Sequence, residues 1–322
     1  LNPNTLQFSP SGEFTVNIID CGLGYPWDFH TALVGNIALI QRGELYLWQK
    51  IQNAAAAGAV AAIIYNNAPS NFLGTLTFIT DIPAVAISFE EGTLLMNQLA
   101  AGSVIVHLKV DTASSEITSK NVIGTMVGLD STQGTVYIGA HYDSVSAGPG
   151  ANDDASGVGA MLEAARVLGT MGYRTKATLK FIAFGAEEIG LAGSHYYVTE
   201  HEEEVATRGI GMINLDMIAV GNVLLIGNIG WGGSSLLDYT RRKATAMNIS
   251  WQPFTAGANS DHTYFEIAGV PSVFLTQSPD PWYHTPGDTP DKINIAMLEQ
   301  NGELATMTMY DWAVPVPKPL PV

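Results

Sequence analysis

Acids and imidazoles spaced along the second half of the chain are the residues whose types could do chemistry together. The stretch Gly139-Ala-His-Tyr-Asp-Ser-Val145 follows an apolar strand pattern and puts His141 and Asp143 on the same side of an extended backbone. An imidazole there can ligate a metal ion while the carboxylate accepts its other N–H, which fixes the tautomer. Next, Gly148-Pro-Gly-Ala-Asn-Asp-Asp-Ala-Ser-Gly157 delivers Asp153 and Asp154 just before a helix start, where an acid or a serine also serves as a plain N-cap. In Phe181-Ile-Ala-Phe-Gly-Ala-Glu-Glu-Ile-Gly190 an apolar strand runs into Glu187 and Glu188. Burying either charge needs a neutralising partner, although a solvated helix N-terminus also welcomes acids. Asp216, in Ile213-Asn-Leu-Asp-Met-Ile218, reads as lying inside an apolar strand, where an unpaired Asp is almost never a packing choice. His284 sits in a Pro/Gly loop, Trp282-Tyr-His-Thr-Pro-Gly-Asp288.

His, Asp, Glu, Asp and His thus recur at consecutive strand-to-helix junctions. Nitrogen and oxygen donors without thiolate fit zinc, with cobalt and manganese as alternatives. Two imidazoles and three carboxylates exceed what one tetrahedral catalytic ion with an open position takes. Two ions ~3.5–4 Å apart that share a bridging carboxylate would use them all, clamping a water and polarising a carbonyl. A second glutamate beside the liganding one then supplies a general base.

Such a set needs a scaffold that brings several loops to one edge. Strand patterns at about 121–127, 135–140, 177–184, 209–215, 223–226 and 272–276 alternate with helical ones at about 157–168, 191–201, 234–247 and 295–312. That alternation predicts an α/β fold: a mostly parallel mixed sheet flanked by helices, with ligands outside the carboxyl ends of its strands. Upstream, strands at about 36–41, 60–65, 84–88 and 104–110, with helices at about 47–57 and 90–100, predict a smaller α+β domain. A polar, turn-like stretch at 112–120 separates the two, giving domains at 1–115 and 116–322. The Pro-rich stretch 314–322 reads as an extended tail.

Composition narrows the function classes. With 47% hydrophobic and 14% charged residues, the 322-residue chain can build sizeable cores and is not a disordered polymer. A net charge of −16 argues against nucleic acid and anionic membrane surfaces as partners. It suits cations such as metal ions or protonated amines, and an acidic surface that only aids solubility has the same composition. No apolar run approaches the ~20 residues of a membrane span. Cys21 is the only cysteine, so an intrachain disulfide and a thiolate metal cluster are both excluded. The start, Leu1-Asn2-Pro3, has neither Met nor a signal-peptide pattern, and removal of upstream sequence is the expectation.

The segments quoted above, together with Ala186-Glu-Glu-Ile-Gly-Leu-Ala-Gly-Ser194 and Ser260-Asp-His262, run in order from Gly139 to Asp288. They resemble the zinc aminopeptidases of the clan that includes bacterial leucyl aminopeptidases and yeast aminopeptidase Y. The resemblance implies two zinc ions and hydrolysis of the N-terminal bond of peptides with a free N-terminus. It implies that His141 and Asp216 hold one zinc, that Glu188 and His284 hold the other, and that Asp153 bridges them. Glu187 becomes the general base, taking a proton from the bridging water and returning it to the leaving amine. Tyr283 matches a position that donates to the tetrahedral oxyanion in some members. Asp261 would act behind the ligands or in the pocket, while His262 is read equally well as a structural contact. Secreted Bacillus enzymes in this group make an extracellular location the expectation.

The first half resembles a protease-associated domain, through Gly35-Asn-Ile-Ala-Leu-Ile-Gln-Arg-Gly43, Lys50, Asn53, Ala57-Gly-Ala59 and Ile63-Ile-Tyr-Asn66. The cysteine usual after the Arg-Gly pair is replaced by Glu44-Leu-Tyr46, which removes a disulfide and not the fold. The module implies a lid or substrate-shaping role, or a stabilising appendage. In relatives it is inserted after a starting helix and strand of the catalytic domain, whereas this chain opens on it. Those N-terminal elements are therefore expected either to be missing or to be replaced by another segment, which leaves undecided what forms the first edge of the sheet and leaves the metal site untouched.

Two rival readings share the scaffold. A carboxypeptidase resembling glutamate carboxypeptidase would need a basic pocket, yet Arg166, Arg174, Arg208, Arg241 and Arg242, the arginines after residue 130, all lie outside the metal motifs. A catalytically inactive receptor-like homologue, as the transferrin receptor illustrates, loses ligands that this chain keeps. Trp231, Phe254 and Phe265 are the candidates for an apolar specificity pocket.

Overall fold

The computed structural model describes residues 1–322 apart from 77, 78, 114–116, 131, 171, 232 and 317–322. The expected boundary at 115/116 and most of the expected tail lie outside the described residues. The chain divides into two compact units, Leu1–Ile117 and Thr118–Val322.

In the first unit the order is β1 (Asn4–Thr5), β2 (Gly12–Asp20), β3 (Ile37–Gln41), α1 (Leu47–Ala56), β4 (Ala61–Tyr65), β5 (Ala84–Ile87), α2 (Phe89–Ala101) and β6 (Ile105–Val110). They form one sheet, β1-β5-β4-β3-β2-β6, in which β2 to β5 are parallel and the two ends antiparallel. Every residue of β4 is buried, because Ala62 and Ile64 pack into one core and Ala61, Ile63 and Tyr65 into the other. Helix α2 starts at a capping box: Ser88 Oγ accepts the Glu91 N–H and the Glu91 carboxylate accepts the Ser88 N–H, both at 3.1 Å.

Gly92 lets that helix lie against the sheet, since a Cβ there would stand 2.3 Å from Tyr65 Cβ. Gly92→Ala is accordingly expected to destabilise the unit by about 1–3 kcal/mol, as overpacking does. A thermal melt of the variant checks this, and an unchanged midpoint would show that the helix has room to shift.

The second unit runs β7 (Val122–Met126), β8 (Thr135–His141), α3 (Ala155–Thr170), β9 (Arg174–Thr175), β10 (Thr178–Phe184), α4 (Ala192–Glu200), α5 (Glu202–Arg208), β11 (Gly209–Leu215), β12 (Val223–Asn228), α6 (Ser235–Ala246), β13 (Trp251–Thr255), α7 (His262–Ile267), β14 (Ser272–Ser278), α8 (Ile295–Trp312) and β15 (Pro315–Val316). Its seven-stranded sheet has the order β13-β12-β14-β11-β8-β10-β7. Only β12–β14 and β10–β7 pair antiparallel, so the sheet is mostly parallel, as the alternating pattern predicts.

Both faces are covered. Val136, Ile138 and Ala140 of β8 pack with Met161, Leu236 and Leu304 from α3, α6 and α8. Tyr137 points the other way, into a cluster with Ile182, Tyr197, Met212 and Phe265. This two-sided burial leaves no polar alternation along β8 and makes it read as a continuous apolar run.

Some elements depart from expectation. The helix expected at 191–201 ends at Glu200, and a separate α5 follows. Strand β13 contains Pro253, which argues against a central strand, but β13 lies at the sheet's edge where a missing N–H is tolerated. At the opposite edge, Val122, Ile123, Gly124 and Thr125 of β7 are all exposed.

Candidate metal centre and active site

Parallel strands bring their carboxyl ends to one margin, and the candidate residues leave from there. His141 closes β8 beside Phe184 of β10, and the chain leaves β10 for Glu187 and Glu188. Asp216 is not inside a strand: β11 ends at Leu215, and Asp216 is the first residue beyond it, its N–H on Leu275 O at 3.2 Å. The apolar run that suggested otherwise continues because Ile218 and Ala219, in the turn after the strand, are also buried. The loop before α3 supplies Asp153, and the segment after β14 supplies Tyr283 and His284. All seven line one cavity of about 330 Å³.

Asp153 stands between the two imidazoles. Its Oδ1 lies 3.1 Å from His141 Nε2 and its Oδ2 lies 3.2 Å from His284 Nε2. Asp216 Oδ1 is 3.6 Å from His141 Nε2, and Glu188 Oε2 is 3.1 Å from His284 Nε2. Ligand atoms around one zinc, bonded at ~2.0–2.1 Å in tetrahedral geometry, stand about 3.3 Å apart, so these separations fit a metal site. The buried Asp216 Oδ1 has no hydrogen-bond partner, as a ligand atom awaiting a cation would not.

The electrostatics favour positive charge in the same place. Burial opposes protonation of His141, yet the carboxylates of Asp143, Asp153 and Asp216 outweigh it and hold the imidazole well above its ordinary value. His284, despite its burial, is pushed up to about 9 by Asp153 and Glu188. Asp153 is buried too, but the two imidazoles bring it down to about 2. Burial pushes Glu187 well above the usual carboxylate range; His141 opposes this, and Asp261, Asp216 and Glu188 add to it.

Supporting bonds fix these side chains. The Asp143 carboxylate accepts the N–H groups of Glu187 and Glu188 at 3.0 and 3.1 Å. His141 Nδ1 faces the main-chain oxygen of Asp143 at 3.0 Å, with the carboxylate farther off at 3.7 Å, so the backbone and not the side chain is its nearer partner. Left-handed backbone recurs among and beside the candidate ligands, at Ala186 (φ 61°), Met217 (φ 62°) and His284 (φ 56°). Strain of this kind, about 1–3 kcal/mol per residue, gathers at functional sites.

Several contributors, Asp154 apart, are not singled out by residue type and spacing. The Asp288 carboxylate accepts the N–H groups of Asn152 and Asp153 at 2.7 and 3.1 Å. Ser260 Oγ donates to Asp216 Oδ2 at 2.7 Å and accepts from Asn214 Nδ2 at 2.7 Å. Asp154, in reach of His141 and Asp216, is held above its usual range by burial first of all. Its Oδ1 accepts from Gly157 and Met217, which makes it a latch between the start of α3 and the turn after β11; a Cβ at Gly157 would stand 2.6 Å from that carboxylate. Asp288, Asn152 and Asp154 all sit within the quoted motifs, but side-chain bonds to distant backbone leave no periodicity to read.

Asp261 is fully buried and lies outside the cavity lining; burial, above all, pushes it up to about 7. His262, pushed down to about 3 by burial, stacks on Phe274 at 4.8 Å and stays neutral. Of the three aromatic pocket candidates, Phe254 lines the cavity. Phe265 belongs to the core and Trp231 is exposed outside the lining, so neither shapes it.

Residues 121–309 match the model of peptidase family M28, and residues 12–95 match the PA domain. Aminopeptidase YwaD of Bacillus subtilis is 37% identical over 92% of this chain and 67% of its own length. A probable leucine aminopeptidase 2 of Aspergillus fumigatus is 34% identical over 83% of this chain, which spans only 56% of that protein. Among solved structures, the aminopeptidase from Aneurinibacillus sp. strain AM-1 superposes with a TM-score of 0.82 at 34% identity, covering 100% of this chain and 81% of that one. BSAP, a zinc aminopeptidase from Bacillus subtilis, gives 0.69 at 33%, covering 97% and 79%.

Proposed function

The chain belongs to peptidase family M28, and from that premise we propose that it is a two-zinc aminopeptidase acting on peptides with a free N-terminus. The observation that carries the reading is Asp153, whose two oxygens each face a different imidazole, one paired with Asp216 and the other with Glu188. His141 and Asp216 would hold one ion and His284 and Glu188 the other, with Asp153 shared between the two pairs. Zinc bound there supplies Lewis acidity towards the scissile carbonyl and lowers the pKa of a bound water towards ~7.

The protein's own groups do the rest. Glu187 takes one proton from the attacking water; as the C–O bond forms and the C–N bond breaks, it passes that proton to the leaving nitrogen. Its buried, acidic surroundings favour holding a proton, which suits a base that must also act as acid. Burial of its hydroxyl and the carboxylates around it push the Tyr283 phenol up, so it stays a donor able to reach a developing oxyanion. No Lys or Arg lines the cavity among the described residues, so no basic side chain there receives a C-terminal carboxylate.

A metal count paired with a substrate panel tests the reading. Two zinc ions per chain, chelator-sensitive release from leucine anilide and no cleavage of its N-acetyl form are expected. Comparable cleavage of the N-acetyl form, or fewer than two ions at full activity, would overturn it.

A further inference from the structure

Resting on the aminopeptidase reading, we propose that Asp280 is the carboxylate that receives the substrate's α-ammonium group. Asp280 follows β14 and lines the same cavity as the candidate ligands. Its side chain is set in place by neutral donors. Trp282 N–H donates to Oδ1 at 2.7 Å and Asn152 Nδ2 donates to Oδ2 at 2.8 Å. Asn152 is itself fully buried and fixed, its own side-chain oxygen accepting the Ala219 N–H at 2.9 Å. A carboxylate has about four acceptor sites, so each oxygen keeps capacity for another donor.

Charge balance points the same way. Asp153, Glu187, Glu188, Asp216 and Asp280 line the cavity, and no Lys or Arg does among the described residues. Two divalent ions would sit among Asp153, Glu188 and Asp216, with Glu187 beside them as the base. Asp280 is neither in the proposed ligand set nor placed as the base, and no Lys or Arg pairs with its carboxylate among the described residues. A single positive charge beside it completes the site, and that is what a peptide N-terminus brings below its ordinary pKa of about 8. A C-terminal carboxylate would meet a charge of its own sign.

Asp280→Asn in the full chain tests this, because the amide keeps the shape and an acceptor oxygen while losing the charge. Three readouts are needed: zinc content, kinetics on leucine anilide, and inhibition by isoamylamine against the uncharged isoamyl alcohol. Hydrogen bonds to charged groups set the scale, so KM should rise about 10- to 100-fold with kcat within a few-fold. The advantage of amine over alcohol should fall by a similar factor, with zinc content unchanged. Asp280→Glu, which keeps the charge, should retain most of that advantage. An unchanged advantage in Asp280→Asn, its loss in Asp280→Glu as well, or loss of zinc would overturn the assignment and leave Asp280 as a support for Asn152. Absence of free-amine cleavage in the wild-type protein would instead sink the aminopeptidase reading, and it is seen before any variant is made.

Discussion

Glu187→Gln is expected to keep its metal and lose turnover by ~10²- to 10⁴-fold, the usual contribution of a general acid–base group. The amide is isosteric and its backbone stays anchored, since Asp143 accepts the Glu187 N–H whichever side chain follows. What disappears is the ability to take a proton and give it back. Glu188 cannot substitute, because its Oε2 faces His284 and its Oε1 accepts the Val145 N–H at 3.2 Å. Elemental analysis beside steady-state kinetics separates the effects. A near-wild-type kcat in the metal-loaded variant would remove Glu187 from the proposed mechanism.

Asp153→Ala should abolish activity by a different route. Among the described residues only this carboxylate faces both imidazoles. Its removal leaves His141 with Asp216 and His284 with Glu188, two half-sites with nothing to join them. Binding to the native state alone stabilises a protein, by about 2.7 kcal/mol when the ligand is at 100 times its Kd. Added zinc should therefore raise the melting temperature of the wild-type protein and leave that of the variant nearly unmoved. Two zinc ions retained per chain in Asp153→Ala would refute the bridging role.

The two halves of the site differed in how far they could be read in advance. His141, Glu187, Glu188 and His284 stand where apolar strand patterns break or in Pro/Gly loops, and a change of pattern is visible in a sequence. Asp216 was misplaced by one residue because the buried turn after β11 is as apolar as the strand. Asn152, Ser260, Asp280 and Asp288 act by bonding to backbone or side chains far along the chain, as Asp288 does to residues more than 130 positions away. Contacts of that span follow from topology, not from local spacing. The sheet itself was legible through its strand–helix alternation. Strand β2 carries the alternation of a half-buried strand, Phe14 and Val16 against exposed Glu13 and Thr15, yet lies outside the four upstream strands expected. The short α7 is a single turn or two, too brief for a helical period to show.

Strand β7 carries a consequence for the protein's behaviour in bulk. Its outer margin offers ladder groups beside the exposed Val122 and Ile123, a surface on which a strand from another molecule could add. Repulsion between chains of net charge −16 works against that pairing. Salt shortens the reach of repulsion, to about 10 Å at 0.1 M ionic strength and 3 Å at 1 M, while apolar contact does not weaken with it. Colloidal stability in this chain is therefore a contest between surface charge and exposed strand edge, and ionic strength decides which prevails.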